Sequence, residues 1–324
     1  MPPLTNHVAL VAGATRGAGR GIACMLGEAG ATVYCTGRSV AGRPPQAGHY
    51  AGRPETIEQT AAEVDRRGGH GIAYRVDHGS DAEVQTLADR LRKDEGRLDI
   101  LVLDFWGDEE PVPFGKPFWE IPLDSGRATI AKTLWPHVIS LQRLVPLMLR
   151  AAATRACSPL VVEVTDGPTL TYRSSFFFDL ASTLRARLAY AVAEELAPHG
   201  ITALAVTPGY LRSELTLERF GVTEANWREA VDRDPNFAAS ETPYLLGRGI
   251  AALAADPRAS RFAGGVFGSW DLAVEYGLHD VDGTRPDFGR HFARSGALAG
   301  TGRTGAQWCV TRETSTKAQS LQES

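Results

Sequence analysis

Length, charge and composition exclude several classes of function: the chain has 324 residues, a formal net charge of −4 and a pI of about 6.1, which leaves no basic field for nucleic acid. No apolar run is long enough to span a membrane, and residues 1–6 lack the basic and apolar regions of a signal peptide. The four cysteines and eight histidines show none of the spacings of a metal site. We therefore expect a cytoplasmic protein with a small-molecule substrate and with neither nucleic-acid nor membrane partners.

A glycine-rich turn near the N-terminus joins the first predicted strand to the first predicted helix. The β-branched run at 8–12 is followed by Gly13-Ala-Thr-Arg-Gly-Ala-Gly19 and then at once by a helical pattern rich in Ala, Ile and Leu. Glycine permits the backbone angles of such a turn and the close approach of a ligand, while N–H groups at the helix start attract a pyrophosphate. The predicted cofactor contacts in this turn are Gly13, Thr15, Arg16, Gly17, Ala18 and Gly19.

The end of the second predicted strand, at 31–35, distinguishes two dinucleotides. In a dinucleotide-binding fold this strand ends at the adenosine ribose, where an acidic residue pairs with the 2′-hydroxyl of NAD and an arginine suits the 2′-phosphate of NADP. The residues found here are Thr36-Gly-Arg-Ser39. Arg38 and Ser39, together with Arg16 of the first turn, therefore predict NADP(H) as the cofactor.

Two of the following helices carry local signals. Ser80 and Glu83 have the spacing of a capping box at the start of a helix. A long helix that runs to about residue 150 contains Pro136 and Pro146. Because proline lacks the backbone N–H that a helix uses, we expect both prolines to interrupt this helix.

Strands and helices alternate along residues 8–268, and this predicts the fold class. The strand-like runs lie at 8–12, 31–35, 71–77, 98–103, 160–165, 201–206 and 264–268. The pattern predicts an α/β fold with a single Rossmann-type, doubly wound parallel sheet of about seven strands and helices on both faces. We assign one domain to residues 1–294, with a small helical excursion at 211–240 over the active site. Residues 295–324 are rich in Gly, Thr, Ser and Gln, which predicts a disordered C-terminal tail.

Polar and aromatic residues follow the third and fourth predicted strands, at the sheet edge where ligands bind in such folds. Asp77 and His78 end the third strand and are predicted to meet the adenine; capping of the turn by Asp77 is the alternative. Asp104 is also predicted to contact the cofactor. It begins an aromatic and proline-rich segment that runs to Trp119 and is expected to wall a pocket.

Five motifs spread over residues 8–268 occur together in one enzyme family. They are Gly-Ala-Thr-Arg-Gly-Ala-Gly at 13–19, Thr-Gly-Arg-Ser at 36–39, Val-Asp at 76–77, Leu-Asp-Ile-Leu-Val at 98–102 and Pro-Gly at 208–209. With these motifs the chain resembles the short-chain dehydrogenase/reductase family. Stretches that look like a mammalian dehydrogenase/reductase subfamily and its bacterial relatives lie at 117–122, 163–167 and 282–287.

The resemblance implies further cofactor contacts and an assembly. Pro208, Gly209 and Ser213 resemble the segment that contacts the nicotinamide carboxamide. Dimers and tetramers are common in the family, so we expect a homodimer or a homotetramer. The apolar stripe on the fifth predicted helix, expected to pack against the core or a partner subunit, consists of Leu180, Leu184, Leu188 and Leu196.

The catalytic residues that the resemblance implies are altered in this chain. The family has a Tyr-x-x-x-Lys pair on its fifth helix, a serine about 13 residues earlier and an asparagine on its fourth helix. Phe178 and Ser182 stand in the tyrosine and lysine positions, and Thr165 stands in that of the serine. The asparagine is absent, with Ala131 or Thr133 in its place. Loss of a positioned general acid costs about 10²–10⁴-fold in rate, so we do not expect the family mechanism.

Three functions remain open. The first, which the retained cofactor motifs favour, is an atypical NADP(H)-dependent reductase or dehydrogenase that uses another acid, or whose substrate needs none, such as an iminium. The candidate acids are Tyr172, which we prefer, and Asp166, Asp179 and Tyr210. The second is a redox-neutral cyclase, dehydratase or isomerase that holds a bulky substrate among aromatic residues at Phe105, Trp106, Phe114, Trp119, 176–178 and Tyr210. The third is a non-catalytic partner subunit or NADP sensor.

Overall fold

The computed structural model describes residues 1–43, 45, 50–106, 115–154, 158–167, 172 and 175–294. Two sequence predictions lie outside these residues, namely the disordered tail at 295–324 and the aromatic wall position Phe114. All the predicted catalytic and cofactor-binding residues lie inside them.

The strands form one large sheet and one small one. In chain order they are β1 Val8–Ala12, β2 Thr32–Gly37, β3 His70–Arg75, β4 Ile100–Leu103, β5 Leu160–Val164, β6 Thr202–Thr207, β7 Tyr210–Leu211, β8 Ser240–Glu241 and β9 Val266–Gly268. The large sheet is parallel throughout, in the order β3-β2-β1-β4-β5-β6-β9, and β7 pairs with β8 separately. The predicted fold class, a seven-stranded parallel sheet of Rossmann type, is therefore confirmed.

The helices alternate with these strands. They are α1 Gly17–Glu28, α2 Ile57–Arg66, α3 Asp81–Asp94, α4 Leu123–Thr154, α5 Phe176–Leu196, α6 Glu214–Arg219, α7 Pro243–Ala255, α8 Ser269–Glu275 and α9 Phe288–Arg294. None of the helices in the described part of the chain combines the length and the apolar character that crossing a membrane requires.

Both faces of the sheet carry a hydrophobic core. Ala9 and Val11 of the central strand β1 pack in the core that includes residues of α1, α2 and α7. Val8, Leu10 and Ala12 pack on the opposite face, in the core that includes residues of α3, α4 and α5. A strand that buries its residues on both faces of the sheet is typical of a parallel sheet between two helix layers.

The long helix α4 runs through both prolines, so the two predicted interruptions are wrong. Pro136 and Pro146 each remove one backbone hydrogen bond from a helix of 32 residues. The same helix buries a long apolar face against the sheet, including Leu144, Leu147 and Met148. This burial holds the helix together across the two missing bonds.

The start of α3 has half of the predicted capping box. Ser80 Oγ accepts the backbone N–H of Glu83 at 3.4 Å. The Glu83 carboxylate instead accepts the backbone N–H of Asp77 at 2.9 Å, so it does not return to Ser80. A complete capping box forms at the start of α2, between Thr56 and Gln59, where the sequence analysis had not singled one out.

The predicted helical excursion at 211–240 contains α6 and two short 3-10 helices. It has a small core of its own, formed by Val222, Trp227, Ala230 and Phe237. Because Tyr210 of β7 pairs with Ser240 of β8, the two ends of the excursion lie side by side. Ser213 and Leu215 place its first helix at the carboxyl edge of the large sheet.

Candidate functional site

A cleft of about 660 Å³ opens at the carboxyl ends of the central strands. In a doubly wound sheet this crevice lies where the strand order reverses, here between β1 and β4, and it is the usual ligand site. The predicted site residues that line it are Gly13, Thr15, Arg16, Gly17, Ala18, Arg38, Ser39, Asp77, His78, Asp104, Thr165, Phe178, Pro208 and Ser213. The predicted residues outside its lining are Gly19, Tyr172, Ser182 and Gly209.

The glycines of the first turn allow the chain to pack closely on itself. Gly13 has a φ of +91°, and a Cβ there would lie 2.0 Å from the carbonyl oxygen of Asp104. A Cβ at Gly19 would lie 2.3 Å from the carbonyl oxygen of Gly13. Gly13 therefore lets β1 approach the end of β4, and Gly19 lets α1 begin directly against the turn.

A carboxylate occupies the N-terminus of α1. The backbone N–H of Gly17 donates to Glu214 Oε2 at 2.9 Å, and Glu214 Oε1 lies 3.4 Å from Arg20 Nη1. Glu214 is the first residue of α6 and lines the cleft. The start of α1 thus already binds an anionic group in this structure, at the position where the sequence predicts a pyrophosphate.

The two arginines predicted to bind a 2′-phosphate lie together at one end of the cleft. Arg16 Nη2 donates to Ser39 Oγ at 3.4 Å, and its Nε lies 3.3 Å from Glu55 Oε2. The Arg16 guanidinium also covers the ring of Tyr50, at 4.5 Å from the ring centre. Arg38 is exposed on the rim of the same end. This end of the cleft therefore carries two guanidinium groups and one hydroxyl group.

His78 is a buried, neutral residue at the cleft wall. Its Nε2 lies 2.9 Å from Thr36 Oγ1, its Nδ1 lies 2.8 Å from Ser140 Oγ, and its ring stacks on Phe105. Burial, together with the charge of His137, lowers the pKa of His78 to about 3. Both ring nitrogens are thus used within the protein. His78 also lines the cleft.

The neighbouring Asp77 fulfils the alternative that the sequence analysis kept open. Its Oδ1 accepts the backbone N–H of Gly79 at 2.9 Å, which caps the turn after β3. Asp77 also lines the cleft. The capping role is therefore present, and contact with an adenine stays a prediction.

Asp104 places a carboxyl group with an unusual pKa at the end of β4. Burial raises its pKa to about 7, although the charge of Arg185 and the N–H of Gly19 act in the opposite direction. A carboxyl group of this kind is present in both protonation states near neutral pH. Asp104 is thus a half-buried group in the cleft that can hold a proton.

The positions of the family tyrosine and lysine carry no proton donor and no cation. Phe178 lines the cleft, and its ring lies 5.0 Å from that of Trp106. Ser182 is 1% exposed and lies beneath the cleft wall. Thr165, in the serine position, donates from Oγ1 to the carbonyl oxygen of Ser182 at 2.9 Å, which ties β5 to α5.

The structure brings one of the four candidate acids to the cleft. Asp166 lines it and is exposed. Tyr172, the preferred candidate, is 57% exposed and is not part of the described lining. Tyr210 donates its hydroxyl to Asp234 at 2.7 Å, while Asp179 likewise lies outside the described lining.

The segment predicted to contact the carboxamide divides into two parts. Pro208 and Ser213 line the cleft, and Ser213 Oγ caps α6 by accepting the N–H of Thr216 at 3.2 Å. Gly209 faces away: its N–H donates to the buried carboxyl of Glu241. Burial raises the pKa of Glu241 to about 8.

Two cations of the cleft were missed by the sequence analysis. Lys132 of α4 and Arg185 of α5 both line it. Arg185 lies seven residues, or two helical turns, beyond Phe178. This spacing puts both residues on the same face of α5, so the sequence could have predicted Arg185 as a cleft residue. Lys132 follows directly on Ala131, a candidate for the asparagine position.

Comparison with known proteins identifies the family. The family model described as "Enoyl-(Acyl carrier protein) reductase" matches residues 13–266. The Homo sapiens protein named Dehydrogenase/reductase SDR family member 1 is 31% identical over 295 residues, covering 87% of this chain and 85% of the human one. The chain belongs to the short-chain dehydrogenase/reductase family. The predicted resemblance is thereby confirmed. The relatives are oxidoreductases by name.

Solved structures of short-chain dehydrogenases share this fold. A Mycobacterium paratuberculosis member bound to NAD has a TM-score of 0.63 and 17% identity, covering 82% of this chain and 97% of its own. A Beutenbergia cavernae structure with bound NADP has a TM-score of 0.61 and 23% identity, covering 83% of this chain and 97% of its own. Among the residues that the structure describes in this short-chain dehydrogenase/reductase, no group of three or more His, Cys, Asp or Glu side chains is arranged to hold a metal ion.

Proposed function

We propose that the protein is an NADP(H)-binding oxidoreductase that acts on a bulky small molecule without the tyrosine–lysine pair of its family. The observation that carries the proposal is a cleft with two arginines at its adenosine end and a phenylalanine in the tyrosine position. When bound, NADP(H) supplies or accepts a hydride. The protein has the tasks of binding, orienting and excluding water.

Two features of the cleft support the fit of a dinucleotide. The N–H of Gly17 binds a carboxylate, so the start of α1 accepts negative charge. Arg16, Ser39 and Arg38 offer the guanidinium and hydroxyl donors that a 2′-phosphate uses.

The catalytic end favours a substrate that does not take a proton from position 178. Phe178 and Trp106 form an apolar wall there, which excludes water from a bound substrate. An iminium accepts a hydride without a proton, so it needs no proton donor at position 178. For a carbonyl substrate, Asp166 is the candidate acid that lines the cleft.

A redox-neutral reaction is the second candidate function, and the same apolar wall favours it. A cyclase, dehydratase or isomerase needs a shaped pocket for a bulky substrate, which Phe178 and Trp106 provide. A non-catalytic partner subunit or NADP sensor would need only the end of the cleft that carries Arg16 and Arg38. Cytoplasmic location and assembly as a homodimer or homotetramer complete the proposal.

The first test is calorimetric titration of the protein with NADPH and with NADH. We expect NADPH to bind at least about tenfold more tightly, since two charged hydrogen bonds to the 2′-phosphate are at stake. Arg38→Asp should abolish this preference, whereas Arg92→Asp, at an exposed site on α3, should leave it unchanged. An unchanged preference in Arg38→Asp would contradict the placement of the 2′-phosphate.

Turnover separates the remaining functions. If NADPH binds, ketones, imines and iminium ions are screened by the change in nicotinamide absorbance. NADPH binding without turnover of any of these substrates, or of redox-neutral ones, favours the sensor. Absence of NADPH binding contradicts the proposed oxidoreductase function. The search would then turn to redox-neutral substrates or to a protein partner.

A further inference from the structure

Phe178, Ser182 and Arg185 lie along one face of α5. They are four and three residues apart, so each side chain stacks on the next along the helix. Helical side chains lean toward the N-terminus of their helix, so a long side chain at position 185 covers the turn that contains residue 182. Ser182 itself is small and 1% exposed.

Contacts with β5 fix where the Arg185 charge lies. Its Nη1 donates to the carbonyl oxygen of Val164 at 2.9 Å. The next residue, Thr165, donates to the carbonyl oxygen of Ser182 at 2.9 Å. The guanidinium therefore lies between the end of β5 and the Ser182 turn. Arg185 is 5% exposed and still lines the cleft.

An aromatic ring compensates part of the burial of this cation. The guanidinium lies 4.4 Å from the ring centre of Trp106. The same ring packs against Phe178, in the tyrosine position of the family. A cation on the face of an indole is stabilised although water is excluded. Arg185, Trp106 and Phe178 thus form one continuous part of the cleft wall.

The charge of Arg185 acts inside the cleft. It lowers the pKa of the Asp104 carboxyl, a lining group, against the effect of burial. Arginine stays protonated at every physiological pH, so this charge is constant. It can hold an anion or a hydroxyl, but it cannot deliver a proton.

We propose that Arg185 supplies the fixed positive charge that binds the nicotinamide half of the cofactor, one helical turn beyond the position where the family has its lysine. This inference rests on the proposed binding of NADP(H). In the family, one lysine at position 182 would both hold the cofactor and act on the tyrosine. In this chain, position 182 is a serine and the cation stands at position 185. Arg185 thus retains the part of the lysine's role that holds the cofactor. The other part, which lowers the pKa of a neighbouring tyrosine, is not needed because position 178 is phenylalanine.

The test compares two ligands and a matched pair of variants. NADPH contains both halves of the cofactor, whereas 2′,5′-ADP contains only the adenosine half with its 2′-phosphate. Arg185→Gln removes the charge, and because its side chain is shorter, it also removes the stacking on Trp106. Arg187→Gln makes the same change at an exposed arginine on the same helix, where the guanidinium lies on Tyr190.

We expect Arg185→Gln to weaken NADPH binding at least about tenfold in calorimetry, since a charged hydrogen bond is lost. Its affinity for 2′,5′-ADP should stay within about twofold of the wild type, because the adenosine half lies outside the reach of residue 185. Arg187→Gln should bind both ligands as the wild type does. The double variant Ser182→Lys/Arg185→Gln should regain NADPH affinity, because it returns a cation to the same turn.

Equal NADPH affinity in Arg185→Gln and the wild type would overturn the inference. An equal loss for NADPH and 2′,5′-ADP would also overturn it, since the effect would then not be confined to the nicotinamide half. If Arg185→Gln does not fold, Arg185→Lys decides: retention of NADPH affinity within about threefold is expected, and a tenfold loss overturns the inference. A wild-type protein that binds neither ligand contradicts the proposed function instead.

Discussion

At the scale of single residues, Gly13 combines an unusual backbone angle with a close contact. Its φ of +91° is costly for any residue with a side chain, and a Cβ would lie 2.0 Å from a backbone oxygen of Asp104. Backbone atoms cannot turn aside as a flexible side chain can. The glycine is therefore required for the packing of β1 against β4, whether or not a cofactor is bound.

Gly13→Ala should lower the free energy of unfolding by about 3 kcal/mol, because it adds both backbone strain and a clash. Gly96→Ala is the control: its φ is +73°, and no atom lies within 4 Å of the added Cβ. That variant should lose only about 1–2 kcal/mol, the cost of the backbone angle. Urea denaturation of both variants measures the difference, and equal losses would contradict the role of the Asp104 contact.

The residues of the catalytic end also mark how far sequence reasoning reaches. Phe178 and Ser182 could be assigned from the family pattern, and the structure places Phe178 in the cleft. Tyr172 was preferred as an acid for its nearness in sequence to α5, but it is 57% exposed. Nearness along a chain does not decide which way a side chain outside a helix points.

At the scale of elements, α6 is connected to α1 by an anion that the protein itself provides. The Glu214 carboxylate takes the N–H of Gly17, a contact between residues 197 positions apart. No local sequence pattern predicts a contact between residues so far apart in the chain. A cofactor phosphate that binds at the start of α1 must displace this carboxylate or be repelled by it.

Glu214→Gln should therefore tighten NADPH binding by about three- to tenfold, because the amide competes less well for the N–H and carries no negative charge. Glu218→Gln, on the same short helix with an ion pair to Arg53, is the control and should not change the affinity. The measurement is calorimetry at low salt. Weaker binding in Glu214→Gln would mean that the carboxylate does not compete with the cofactor.

The elements themselves were predictable to different degrees. The alternation of strand-like and helical runs gave all seven strands of the large sheet, since each run reflects burial between two layers. The effect of Pro136 and Pro146 was misjudged, because a local rule about one hydrogen bond takes no account of the apolar face that α4 buries. The predicted capping box at Ser80 forms only in half, since the Glu83 carboxylate accepts the N–H of Asp77 instead of that of Ser80.

At the scale of the whole molecule, the half-buried carboxyl group of Asp104 and the buried one of Glu241 link stability to pH. Burial raises the pKa of Asp104 to about 7 and that of Glu241 to about 8, whereas both ionise near pH 4 in an unfolded chain. Between these values the folded state binds protons that the unfolded state has released. Their contribution to the free energy of unfolding is therefore complete below about pH 4 and decreases as the pH rises toward 8.

Asp104→Asn and Glu241→Gln should each flatten the decline in stability between pH 5 and 8. The neutral amides keep the shape of the carboxyl groups and release no proton. Urea denaturation at unit steps of pH measures the slope for each variant. Glu229→Gln, at an exposed site, should decline as steeply as the wild type, and an equally steep decline in all three variants would contradict the link.

The pairing of β7 with β8 has a consequence for how this protein can diversify. Tyr210 and Ser240 hold the two ends of the excursion side by side, and the segment between them has its own core. A segment whose ends meet can be lengthened, shortened or replaced without moving the strands that support it. Relatives that accept different substrates can thus arise by exchange of this one module. Because Glu214 of the module binds the N–H of Gly17, such an exchange also changes the start of α1.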